Sequence, residues 1–198
     1  GNLTSTAGTV EYDGGTQTIL SDNYFNLEID QSGVKTAGGA LDIDGDLTVT
    51  AGELAMTSSD ADVASGKTVN IDGTLSISSG TFTANGPTDI DGTLSASTGT
   101  YNADGAFDAT GGNITFSGGG NLILSNTSVT SLGTFTKSTS TVKYDQNVAQ
   151  NIDNVNYYNL TIEGGSNKTF TGNTDVSNIL DINGGVLVLD NSSYKITV

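Results

Sequence analysis

The sequence predicts an all-β chain wound into an elongated parallel β-solenoid, and three observations carry that expectation. Apolar residues recur at one offset pattern, four, then two, then five residues apart. Between them stand Asp, Thr or Ser, so each short segment has one apolar and one wettable face. Glycine reaches 27 residues in 198, Thr, Ser and Asn are abundant, and no segment carries helical periodicity.

In chain order the copies are Ile43-Leu47-Val49-Leu54, Ile71-Leu75-Ile77-Phe82, Ile90-Leu94-Ala96-Tyr101, Ala103-Phe107-Ala109-Ile114 and Val176-Leu180-Ile182-Leu187. A weaker copy begins at a glycine, Gly118-Leu122-Leu124-Val129. Most copies place a polar residue and a glycine after the first apolar position, as in Asp44-Gly45, Asp72-Gly73, Asp91-Gly92 and Asp104-Gly105. A second glycine (Gly52, Gly80, Gly99, Gly112, Gly185) precedes the last. These glycines read as corners that need positive φ or close backbone approach.

A single copy cannot bury its apolar face, so copies must stack. Stacked one per rung, they put Leu47, Leu75 and Leu94 in one column and Val49, Ile77 and Ala96 in the next. The glycine spacings then imply irregular rungs of 13 to 28 residues, with Thr57 to Asp62 as an excursion inside the longest. At about 15 to 20 residues per coil the chain would make roughly ten to thirteen coils along an axis of about 50 to 60 Å.

A longer period lies over the short one. Val10-Glu11-Tyr12-Asp13 returns as Val142-Lys143-Tyr144-Asp145, Tyr24 to Ile29 as Tyr157 to Ile162, and Lys35-Thr36 as Lys168-Thr169. The copy at Ile43 maps onto the copy at Val176 at the same offset of 133. The expected organisation is one continuous solenoid over 1–198 with about one and a half copies of a unit of ~132 residues: a first unit over 1–133 and a partial second over 134–198. Starting without methionine and stopping in mid-unit, the chain reads as a mature product or a piece of a protein or assembly in which such units run on.

Composition removes whole classes of chemistry. The chain has no cysteine, histidine, tryptophan or arginine, and its six basic residues are lysines: Lys35, Lys67, Lys137, Lys143, Lys168 and Lys195. Disulfide, thiol and imidazole chemistry are excluded. A formal charge of −16 opposes nucleic-acid binding, which draws its free energy from clustered Lys and Arg. No apolar run approaches the roughly 20 residues of a spanning helix, so no membrane insertion is expected.

The pattern G-x-V-x-Y-x-G-x-x-Q-x-I over Gly8 to Ile19, Y-F-N-L-x-I over Tyr24 to Ile29, Lys35-Thr36, and G-x-L-x-V-x-x-G-x-L over Gly45 to Leu54 resembles repeats of very large secreted bacterial surface proteins. The short G-x-L-x-I-x-x-G units are similar to filamentous-haemagglutinin-like and autotransporter-passenger β-solenoids. The resemblance implies an extracellular or cell-surface setting and a role in adhesion, matrix or fibre formation. It supplies no catalytic residue.

No site residue is assigned to catalysis, cofactor or metal. β-Helical lyases use Arg or Lys beside Ca²⁺, and the related hydrolases use paired Asp with a Gly-His-Gly motif. The scattered lysines and the echo of a short motif in Asn173-Thr174-Asp175 supply neither set, so no enzyme is expected. Asp42-Ile43-Asp44-Gly45-Asp46 and Asp89-Ile90-Asp91-Gly92 put two carboxylates on one strand face. Such a pair serves as a solvent face, or holds Ca²⁺ if stacking brings Asp72 and Asp91 together. Of Tyr24-Phe25 and Tyr157-Tyr158, one member each is expected in the core and one outside. Thr48 and Thr50, or Thr81 and Thr83, suggest the Thr-x-Thr rows of ice-binding solenoids, but positions aligned on the repeat hold Ser and Asp. The sequons Asn2-Leu3-Thr4 and Asn159-Leu160-Thr161 arise by chance in so Asn- and Thr-rich a chain.

The expectation that follows is a non-enzymatic extracellular module of a bacterial surface adhesin, fibre or filament, associating end to end through open solenoid edges. Tyr194 to Val198, alternating like a strand without a charged cap, would be one such edge. The alternative is a carbohydrate- or receptor-binding adhesin module whose partners, surface glycans or a host receptor, meet loop excursions such as Thr57 to Gly66.

Overall fold

The computed structural model describes residues 7–198. Among these the chain is all strand, with no helix, and its parallel sheets stack as a β-solenoid of about 9 turns. The predicted fold class is the observed one. At about 4.8 Å per turn the coil is roughly 43 Å long, shorter than the expected ten to thirteen coils.

Up to Thr141–Tyr144 paired strands lie three apart in chain order, so one turn is a triangle of three short strands. Face 1 runs from Thr9–Tyr12 through Leu47–Val49, Val69–Ile71 and Thr88–Ile90 to Val129–Ser131. Face 2 runs from Gln17–Ile19 through Glu53–Met56, Thr74–Ile77, Thr93–Ala96 and Asn113–Phe116 to Thr134–Thr136. Face 3 starts at Asn23–Tyr24 and includes Thr81–Ala84, Thr100–Ala103, Asn121–Leu124 and Thr141–Tyr144.

The 4-2-5 motif is therefore not a rung but a corner with its two flanking strands. This corrects the expected columns. Leu75 does stack on Leu94, and Ile77 on Ala96, but beneath them lie Leu54 and Met56. Leu47 and Val49 belong to face 1, paired with Leu27 and Ile29 on one side and Val69 and Ile71 on the other. The intervals from Gly92 to Gly105, Gly73 to Gly92 and Gly45 to Gly73 span two, three and four strands of one prism. The side of a triangle looks alike whichever face it forms. Between registered partners, the shortest turn seen runs from Thr9 to Asn26, and a longer one runs from Asp108 to Ser131, where a bulge intervenes. The rungs are thus more even than the glycine spacings imply. Thr57 to Asp62 is no excursion either: Thr57 to Asp60 make a corner, and Ala61–Val63 is a face 3 strand.

Alternation sorts the side chains as the sequence requires. Leu41 and Ile43 are buried around an exposed Asp42, and Leu47 and Val49 around Thr48. Inside, volumes compensate: Phe82 and Tyr101 stack with centroids 5.2 Å apart, and each is followed two residues on by a buried alanine, Ala84 and Ala103. Corners leave no room for side chains. A Cβ on Gly92 would lie 2.1 Å from the Gly73 carbonyl oxygen, and one on Gly52, at φ +70°, would lie 2.3 Å from the Gln31 carbonyl oxygen.

The second copy of the long repeat changes face. Thr9–Tyr12 pairs with Asn26–Ile29 on face 1, and its equivalent Thr141–Tyr144 pairs with Asn159 to Ile162 on face 3. Thr141–Tyr144 comes twenty strands after Thr9–Tyr12, and twenty is not a multiple of three. The second copy therefore begins rotated by one side of the triangle. Gln150–Ile152, Asn167–Phe170 and Val186–Leu189 then form a three-stranded sheet whose first strand lies over Val129–Ser131 of face 1. Tyr157–Ile162 and Thr174–Ile182 each bend through a corner, where the register shifts.

Cysteine cross-linking tests this register. Adjacent parallel strands hold outward partners within the Cα separation of about 4.4–6.8 Å that a disulfide requires. Thr48→Cys with Asn70→Cys is expected to oxidise readily to an intramolecular bond. Thr48→Cys with Ser76→Cys, the pair that rung-per-copy stacking would join, is expected to stay reduced in the monomer, as read by gel mobility and thiol titration.

Candidate functional surfaces

Each outward position repeats along the axis, so the three faces carry three different chemistries. Face 1 is acidic: Thr48, Asn70, Asp89 and Asp108 form one outward column. Asp72 and Asp91 follow the paired Ile71 and Ile90 and occupy equivalent corner positions in adjacent turns. The Asp89 carboxyl is raised above the usual range, first by desolvation and then by Asp91, Asp108 and Asp72. Among the described residues no group of three or more acidic side chains is arranged to hold a metal ion. Asp42 stands on face 3 between Asn23 and Asp62 and accepts a hydrogen bond from the Asn23 amide at 3.0 Å. Asp46 accepts from the Thr68 backbone N–H at 2.8 Å.

Face 2 is a field of hydroxyls. One outward column holds Thr74, Thr93, Asn113 and Thr134; the next holds Ser76, Ser95, Thr115 and Thr136. Ser78, Ser97 and Ser117 extend the rows past the strand ends. Ser76 donates to the Glu53 carboxylate, whereas the side chains of Thr74, Thr93, Ser95, Ser97, Thr115, Ser117, Thr134 and Thr136 have no hydrogen-bond partner within the described residues. No ionisable residue interrupts the outward positions from Thr74 to Thr136. The aspartates that align with Thr48 on the repeat, Asp108 and Asp181, lie on face 1 and face 3, and Thr48 itself stacks with Asn70 rather than Ser76.

The aromatic pairs split as expected. Tyr24 and Tyr157 are fully buried, and Phe25 and Tyr158 are half-exposed, with the Lys67 ammonium 5.6 Å from the Phe25 ring centre. Both buried tyrosines are tied the same way. Tyr24 meets the Tyr12 hydroxyl at 3.1 Å and donates to the Leu20 carbonyl, while Tyr157 meets the Tyr144 hydroxyl at 3.1 Å and donates to the Asp153 carbonyl. Burial raises the Tyr144 and Tyr157 hydroxyls above their ordinary range. Asp175 of the Asn173-Thr174-Asp175 motif faces Lys137 at 3.9 Å rather than a second carboxylate. The sequon at Asn2 lies outside the described residues. Asn159 sits in a strand, its amide donating to Thr141 and its oxygen accepting from Asn178.

Two functional-looking side chains were hidden in the sequence. Lys35 and Lys168 are completely buried, one in each copy of the long repeat. The Lys35 ammonium donates to the carbonyls of Asp30, Gln31 and Ser32 at 2.5, 2.7 and 3.4 Å, and Lys168 to those of Gln146 and Val148. Each plugs a wide corner whose carbonyls no neighbouring strand reaches. Desolvation lowers the Lys168 ammonium below its ordinary range, against the pull of Asp145. The signal was present in parity: Lys35 shares its strand face with buried Ala37, and Lys168 with buried Phe170.

Comparison with protein-family models, curated proteins and solved structures finds no match to this chain. Its chemistry stands on its own geometry.

Two outcomes follow. Because the folded Asp89 carboxyl titrates above its unfolded value, the native state binds the extra proton, and stability falls as pH rises through that window. Asp89→Asn is therefore expected to raise the melting temperature at neutral pH, with the gain shrinking toward acid pH. Lys35→Met, which keeps the apolar stem and strands the carbonyls, is expected to cost about 1–3 kcal/mol for each buried acceptor left unpaired, measured by urea unfolding.

Proposed function

We propose that the chain is a non-enzymatic structural module of an extracellular bacterial surface adhesin, fibre or filament, and that it associates end to end through its open last turn. One observation carries this reading. Val49 and Met56 are 0% exposed under the next turn, whereas their equivalents in the second copy of the long repeat, Ile182 and Leu189, are 47% and 41% exposed. Leu180 and Leu187, equivalent to the buried Leu47 and Leu54, are only partly covered. Ile196–Thr197 pairs with Thr174 and Asp175 and covers one side of the triangle. Among the described residues, Ile179 to Ile182 and Val186–Leu189 are strand edges lined with apolar side chains.

In the first copy these positions are covered by Val69, Ile71, Leu75 and Ile77 from parallel strands in register. A rung of that character, supplied by a second copy, would bury the same side chains and satisfy the free backbone edge. An acidic coat opposes lateral aggregation, so association is steered to the ends. Parallel rungs bonded along the axis suit a load-bearing rod. The absence of His, Cys and Arg and the scattered lysines support a non-enzymatic role. The cysteine-free, repetitive sequence supports the surface setting.

Sedimentation velocity tests the reading. The mass-average size of the chain is expected to grow with concentration, and to grow further with salt as repulsion between the −16 coats is screened over about 8 Å at physiological ionic strength. Ile182→Lys with Leu189→Lys is expected to abolish the growth without lowering the melting temperature. A chain that stays monomeric at every concentration and salt, or that releases reducing ends from acidic polysaccharides, would contradict the reading.

A further inference from the structure

We propose that face 2 between Thr74 and Thr136 binds the surface of a neutral, extended polysaccharide. The argument begins with charge. A chain of net charge −16 leaves four successive turns of one flat face without an ionisable outward side chain, while face 1 of the same turns carries Asp89 and Asp108. An anionic polymer is repelled by the coat as a whole, and a cationic partner is drawn to face 1. A neutral polyol can settle on face 2 without stripping water from a carboxylate, a step that costs far more than a hydroxyl contact returns.

The second step is valence. The outward hydroxyls of Ser95, Thr115, Thr134 and Thr136 have no partner within the described residues, so each is free to donate and to accept. A shallow groove of ≈ 220 Å³ lies at the serine end of this field, lined by Ser76, Ser78, Ser95, Ser97 and Ser117, with Glu53 at one end.

The third step is period. The rows repeat at the strand spacing of about 4.8 Å, in register and without a bulge from Glu53–Met56 to Thr134–Thr136. The rings of an extended β-linked glycan advance by a comparable step with alternate rings turned over, so successive rungs meet successive rings at similar spacing and in alternating orientation. Single hydroxyl contacts are worth about 1 kcal/mol or less net, and only a repeating partner sums them. No aromatic residue stands among the outward positions of these rows, so a sugar on this face is held by hydroxyl contacts and not by ring stacking. End-to-end association is not required.

The test is depletion of the intact chain from solution by microcrystalline cellulose, corrected for material that pellets without cellulose. Wild type is expected to be retained. Ser95→Asp with Thr115→Asp, two charges in the middle of the field, is expected to weaken retention at least tenfold, and Ser95→Ala with Thr115→Val to weaken it by less. Asn70→Ala on face 1 and Ile182→Lys at the open end are expected to bind as wild type does. Melting curves confirm that each variant is folded. The proposal is overturned if wild type is not retained, if the aspartate variant binds undiminished, if Asn70→Ala loses as much, or if the chain arrests ice growth while ignoring cellulose.

Discussion

Parallel, in-register pairing of each strand with the strand one turn later is the constraint on which everything else in this molecule depends. It places like above like. Inward columns such as Leu54, Leu75 and Leu94 become a continuous thread of hydrocarbon, and outward columns become rows of one chemistry. A one-residue slip would turn the Leu row to water and the Ser row into the core, so register is held by the burial of every rung at once. Stability is then close to a sum over neighbouring turns.

The same constraint sorts function by geometry. Acidic, hydroxyl and mixed faces arise because three strands make a turn and each face samples every third strand. With twenty strands from one position of the long repeat to its equivalent, the second copy presents its first strand on face 3 rather than face 1. A surface feature encoded once per unit therefore winds around the axis instead of lining up along it. The hydroxyl field stays within one copy, which is why it runs straight along face 2.

Much of this was legible in the sequence, and the illegible part has a physical cause. The fold class and the inward or outward sense of Leu47, Leu75, Asp42 and Tyr24 follow from alternation alone. Which strand stacks on which does not, since a corner with its flanking strands reads the same on every side of the triangle. Uneven spacings between Gly45, Gly73, Gly92 and Gly105 imitate irregular rungs, although they count four, three and two strands of an even prism. The hydroxyl field was hidden by that mis-stacking, which set Thr48 over Ser76. Lys35 and Lys168 were hidden by chemistry: a lysine at an inward position reads as solvated until the carbonyls that receive it are seen.

Backbone nuclear Overhauser contacts between strands measure the register itself. The account predicts cross-strand amide-to-α contacts linking Leu47 with Val69, and Leu75 with both Leu54 and Leu94. Contacts that instead join the strand of Leu47 to the strand of Leu75 would mean that copies stack one per rung, and the three faces described here would not exist.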